Sequence, residues 1–103
     1  MARNPEILVR ATANLWRGPE AVGGRLTLTR GRLAFRAHSF NVQALPLDIA
    51  VSDIVDIRKY RTGGFIPNGL AVTVASGVEY RFVTYKRSRF IAAVQELTGG
   101  TPG

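Results

Sequence analysis

The chain has 103 residues, 46% of them apolar, with fourteen Lys and Arg against seven Asp and Glu and no cysteine. That length suits one domain with one core, and the missing cysteines exclude disulfides, thiolate metal sites and cysteine nucleophiles. The net charge of +7 biases the protein toward anionic partners: phospholipid headgroups, acidic protein surfaces or nucleic acid.

Turn signals divide the chain into short segments at the spacing of an all-β sandwich or barrel: Gly18-Pro19, Gly23-Gly24, Gly31, Pro46, Gly63-Gly64, Pro67-Asn68-Gly69 and Ser76-Gly77. The first predicted strand runs from Ile7 to Trp16, with Ile7, Val9, Ala11, Ala13 and Leu15 on one face and Leu8, Arg10, Thr12, Asn14 and Trp16 on the other. Residues 17–24 read as a loop. The second strand spans about Gly24 to Thr29 and the third about Arg32 to Ala37. A two-residue Arg30-Gly31 turn between them pairs Leu28 with Leu33 and Leu26 with Phe35, facing the core. Residues 38–46 read as a loop, followed by strands from Leu47 to Val51 and Val55 to Tyr60 joined by Ser52-Asp53. Pro67-Asn68-Gly69 reads as a tight turn, Leu70 to Val74 as a strand, and Ala75-Ser76-Gly77 as the hairpin leading into Val78 to Tyr85. The period then changes. Phe90, Ile91, Val94 and Leu97 form a helical apolar stripe, and Gly99 stands where a C-terminal cap belongs.

This order predicts a mainly β fold, a partly open barrel or sandwich of about seven antiparallel strands capped by one C-terminal α-helix. One domain is expected over 1–103, with its core at about 7–98 and 99–103 as a flexible tail. The longest apolar runs are four or five residues, against the roughly 20 that a membrane-spanning helix requires. The N-terminus carries no apolar signal region. A soluble, cytoplasmic domain, peripheral to the membrane at most, is the expectation.

Several stretches together resemble the GRAM domain, a branch of the pleckstrin-homology-like superfold: Ala13-Asn14-Leu15 with Arg17, Gly24-Arg25-Leu26-Thr27-Leu28-Thr29, Arg32-Leu33-Ala34-Phe35, Leu47-Asp48-Ile49 leading into Asp53-Ile54, Phe65-Ile66-Pro67-Asn68-Gly69-Leu70, and Gly77 through Tyr85 with Arg87 and Phe90-Ile91. The resemblance covers roughly residues 8–97. It implies a non-catalytic module that associates with membranes or proteins, several of the family binding phosphoinositides or other anionic lipids. The quoted residues are mostly core and turn positions, so the resemblance transfers the fold well and the ligand poorly.

The residues point the same way. His38 is the one histidine and sits in a predicted loop, so no Ser/His/Asp arrangement or His metal cluster is suggested. Asp53 and Asp56 read as a turn-capping and a solvated carboxylate rather than cation ligands. No catalytic residue, metal site or cofactor is expected. The arginines are more informative. In the proposed register Arg25 and Arg36 oppose each other on the outward face of the second hairpin, with Arg32 further along and Arg30 in the turn. Like charges directly across a strand pair repel unless an anion lies between them. Lys86, Arg87 and Arg89 fall at the helix start, where cations oppose the helix dipole. Arg87 reads as structural, pairing with a carboxylate such as Asp53 or Asp56. Arg25, Arg30, Arg32, Arg36, Lys86 and Arg89 are therefore the candidate anion, lipid or partner contacts.

The 17–24 loop carries one Arg and one Glu, too few cations for a stereospecific inositol-phosphate pocket. Among aromatics near strand ends or in loops (Trp16, Phe40, Phe65), Phe40 is the candidate membrane contact. The leading reading is a binding module for an anionic phospholipid surface or an acidic protein partner. A homo-oligomeric scaffold, with residues 56–60 and 70–74 as candidate edges, is the alternative. Nucleic-acid binding ranks third, because neither an aromatic platform nor a reading helix is evident.

Overall fold

The computed structural model describes residues 6–38 and 46–99. Seven strands follow in order: β1 (Val9–Arg17), β2 (Glu20–Leu28), β3 (Arg32–Ala37), β4 (Leu47–Ala50), β5 (Ile54–Thr62), β6 (Ile66–Val74) and β7 (Glu79–Val83). A short 3-10 turn (Val51–Asp53) joins β4 to β5, and the helix α1 (Arg87–Leu97) closes the chain. All the pairings are antiparallel, and the single curled sheet has the order β4-β3-β2-β1-β7-β6-β5.

Period-2 alternation turns the same row of side chains inward along each strand. Leu26, Leu28, Leu33, Leu70, Val72, Phe82 and Phe90 have no exposed surface. The Phe35 and Phe82 rings meet in a tilted pair, centroids 6.1 Å apart, across the interior. The α1 stripe contributes Phe90 and Val94, both fully buried against the sheet. Gly99, at φ +102°, ends the helix, its conformation strained for any residue with a Cβ.

The β2–β3 register is as expected, Leu28 opposite Leu33 and Leu26 opposite Phe35, with Thr29 N–H donating to the Arg32 carbonyl across the Arg30-Gly31 turn. Three expectations are corrected. The chain from 17 to 24 is not a loop. Gly18, at φ +60°, turns β1 into β2 within two residues, so Arg17 opposes Glu20 and the hairpin continues through Gly23 and Gly24. Pro67-Asn68-Gly69 is not a turn but lies inside β6. The reversal happens at Gly63 and Gly64, φ +65° and +87°, and Pro67, which has no N–H to donate, falls where the β5–β6 register shifts. Finally, 70–74 is interior, flanked by β5 and β7. Residues 56–60 do lie on an edge strand, β5, the other edge being β4. The predicted strand Val78 to Tyr85 is shorter in the structure, Glu79–Val83. Phe40 and the tail residues 100–103 lie outside the described residues.

Candidate functional site

Arg25 and Arg36 are directly opposed on β2 and β3, both exposed. The anion that relieves their repulsion is supplied by the chain itself. Arg36 Nη2 donates to both oxygens of Asp48 on β4, at 3.0 and 3.3 Å, and its Nη1 donates to the Phe35 and Leu47 carbonyls. Arg32 Nη1 lies 3.9 Å from the same Asp48 oxygen, and Arg30 Nη2 lies 3.4 Å from Glu6. Arg25 makes no ion pair among the described residues.

At the start of α1 the first turn holds no acid and Lys86, the N-cap residue, makes no side-chain cap hydrogen bond. Instead Lys86 Nζ donates to the Arg10 carbonyl of β1, at 3.3 Å, and Lys86 N–H donates to Thr84 Oγ1. Arg89 is exposed. Arg87 is structural, though not through a carboxylate. Its Nη1 donates to the Tyr60 and Gly69 carbonyls, at 2.9 and 3.3 Å, tying the helix start to the irregular stretch of the β5–β6 ladder.

The two predicted groups are bridged by β1. Thr12 opposes Arg25, and Arg10 opposes Thr27, so Arg10 is a diagonal neighbour of Arg25 on the outward face. Exposed Arg25, Arg10 and Lys86 thus follow one another across β2, β1 and the β7–α1 connection. Arg10 is not among the sequence candidates: parity places it outward, but only the pairings of β1 show which cations stand beside it. Beside this strip is a shallow cavity of about 340 Å³, with Thr12, Asn14, Gly23, His38, Asn68 and Thr84 in its lining. His38 is exposed, in keeping with a surface role.

The outer face of β5, β6 and β7 is internally compensated. Arg58 pairs with Asp56 and Glu79, Arg81 Nε donates to Glu79 at 2.8 Å, and the Arg81 guanidinium stands 5.1 Å from the Tyr60 ring centroid. The hydrogen bond from Arg81, aided by Arg58 and opposed by burial, holds the Glu79 carboxyl below its ordinary range. Burial, opposed mainly by Arg81, raises the Tyr60 phenol. The Glu79 shift has a sign. Below its ordinary range the unfolded chain takes up the proton before the folded chain does, so Glu79 stabilises the fold above that range and the contribution is lost as pH falls through its lowered folded value. Glu79→Gln is expected to flatten the acid limb of urea-midpoint-against-pH measurements. An unchanged acid limb would show that this cluster does not hold Glu79 ionised.

Among the described residues no group of three or more His, Asp or Glu could hold a metal ion, and no helix is long and apolar enough to cross a membrane. Trp16 is half-buried, whereas Phe65 is 71% exposed and Tyr85 95%.

A seven-stranded curled antiparallel sheet closed by a C-terminal helix is the pleckstrin-homology-like superfold. The chain belongs to the GRAM domain family, whose model matches residues 1–98. It is 31% identical over 70 residues to UDP-sugar-dependent glycosyltransferase 52 of Dictyostelium discoideum, a match spanning 68% of this chain and 4% of that relative's length. In structure it resembles the C-terminal domain of an unknown protein from Leishmania infantum, with a TM-score of 0.76 at 18% identity over 91% of this chain and 84% of that one. It also resembles the Slm1 PH domain in complex with inositol-4-phosphate, with a TM-score of 0.64 at 12% identity over 89% of this chain and 95% of that one.

Proposed function

We propose that this chain is a non-catalytic GRAM domain that associates peripherally with anionic membrane surfaces. The observation that carries this reading is the run of exposed cations Arg25, Arg10 and Lys86, with Arg89 at the helix start, none of them ion-paired among the described residues. Arg30, Arg32 and Arg36 already share Glu6 and Asp48, so they add less free charge. The inositol-4-phosphate complex of the Slm1 PH domain supports anionic lipid as the ligand class. The two-residue β1–β2 turn argues against a headgroup enclosed by a long loop at that position. Delocalised attraction, at about 1 kcal/mol per basic residue near the surface, suits the arrangement better.

Co-sedimentation is expected to show binding to phosphatidylserine-containing vesicles at low salt, little to pure phosphatidylcholine, and loss at high salt as screening shortens the interaction. Arg25→Glu with Lys86→Glu replaces two attractive charges by two repulsive ones. It is expected to lower vesicle affinity by roughly a hundredfold or more, with Asp48→Asn raising it modestly by freeing Arg36. Equal binding of wild type and the double reversal would remove this face from the function.

A further inference from the structure

We propose that the tip of the β5–β6 hairpin, Phe65 with Ile66, inserts into the interfacial layer of an anionic membrane, with Tyr85 alongside it at the level of the headgroups. The inference rests on the membrane reading above and names the part of the domain that enters the bilayer. Phe65 is 71% exposed, Ile66 43% and Tyr85 95%, the three standing among the few large apolar side chains that the fold leaves in water.

The fold holds them there. Gly63 and Gly64 take left-handed conformations, and the turn is closed by Gly64 N–H donating to the Arg61 carbonyl and Phe65 N–H to the Thr62 carbonyl. Thr62 Oγ1 and Asn68 Oδ1 lie 2.7 Å apart, linking the two strands just behind the tip. Thr84 N–H donates to the Asn68 carbonyl, which places Tyr85 beside the start of β6. Arg87, anchored on the Tyr60 and Gly69 carbonyls, fixes the β7–α1 connection to the same hairpin. Phe65, Ile66 and Tyr85 are therefore carried at one end of β5, β6 and β7 by a tied framework.

The charges around them select the partner. Residues 59–69 and 84–95 contain no acid, while Lys59, Arg61, Lys86 and Arg89 are exposed. Exposed apolar and aromatic side chains at a hairpin tip, with cations of long apolar stem on the flanking segments, match a surface that is apolar below and anionic above. A protein partner would instead need a broad complementary patch, typically about 800 Å² on each side, and a three-residue tip presents far less. The basic run Arg25, Arg10 and Lys86 reaches this same end through Lys86, so attraction and insertion act at one place.

The test compares wild type, Phe65→Ser with Ile66→Ser, and Val78→Ser, another exposed apolar residue, in the β6–β7 turn. The vesicles hold three parts phosphatidylcholine to one part phosphatidylserine. The double variant is expected to bind at least roughly tenfold more weakly, since burying even part of two large apolar side chains exceeds the free energy of one decade. Val78→Ser is expected to bind as wild type does. In a second measurement, Phe65→Trp is expected to add blue-shifted emission, quenched by brominated lipid, that wild type with Trp16 alone does not show. If wild type binds, the double variant binds equally and the Phe65→Trp emission stays unshifted, insertion is overturned while surface attraction stands. If wild type binds neither vesicle at low salt, the membrane reading itself fails and the inserted tip fails with it.

Discussion

Replacing Phe90 with alanine is expected to destabilise the fold by about 3–5 kcal/mol, the usual cost of removing a buried phenylalanine side chain. Phe90 has no exposed surface and, with Val94, is the buried contribution of α1 to the core. Ile91, Ala93 and Leu97 pack only partly buried around these two. The hydrogen bonds of Arg87 to the Tyr60 and Gly69 carbonyls tie the first turn in place and oppose its settling into the gap. For a domain whose total stability is of the order of 5–15 kcal/mol, that loss is a large share. The melting temperature is expected to fall by at least roughly 12 °C. A loss below about 1 kcal/mol would mean that the helix lies on the sheet as a surface element and does not complete the core.

Gly24→Ala is expected to cost about 1–3 kcal/mol or more, the range of a core forced to accept an extra carbon. A Cβ at Gly24 would lie 2.6 Å from Phe35 Cζ and 2.9 Å from Ala37 Cα, and also against the Arg36 carbonyl oxygen. Two of these neighbours are β3 backbone, held by the Gly24–Ala37 pairing, and the third is a ring packed on Phe82. The two backbone neighbours cannot yield without separating the strands that display Arg25 and Arg36. Gly31→Ala is the matched control. A Cβ there meets nothing within 4 Å and the backbone is not left-handed, so the substitution is expected to be neutral or mildly stabilising, by about 0.4–1 kcal/mol at most. Urea midpoints for the two variants check this. Equal midpoints would show that β2 and β3 do not approach as closely as this packing requires.

The same two strands show how surface chemistry follows from register. A one-residue slip of β3 would carry Leu33 and Phe35 outward and Arg36 inward, so burial of the leucines and phenylalanine fixes the position of the arginines. Arg25 and Arg36 are opposed because Leu26 and Phe35 are. The tolerated repulsion is then moderated by β4, which brings Asp48 to Arg36. Binding potential on this face is consequently greatest at Arg25, whose neighbours on β1 and β3 supply no carboxylate among the described residues.

Local patterns were enough to read the mainly β fold, the β2–β3 register, the helical stripe of Phe90, Val94 and Leu97 and the opposed Arg25 and Arg36, because each depends on residues a few positions apart whose periodicity reports one buried face. Glycine and proline were less reliable guides. Gly24 looks like a break yet serves close strand packing, and Pro67 looks like a turn yet falls within β6, because a small or donor-free residue meets either requirement equally well. What depends on distant segments was settled only in three dimensions. The β1–β7 pairing brings Arg10 near Lys86, β4 delivers Asp48 to Arg36, and the helix start hands Arg87 to two backbone carbonyls in place of a carboxylate. Phe65 and Phe40 look alike as loop aromatics, and only the packed hairpin shows Phe65 left in water. Sequence periodicity reports which side of a strand faces the core, but the neighbour across each outward face is chosen by tertiary pairing, and the charge left free to bind is decided there.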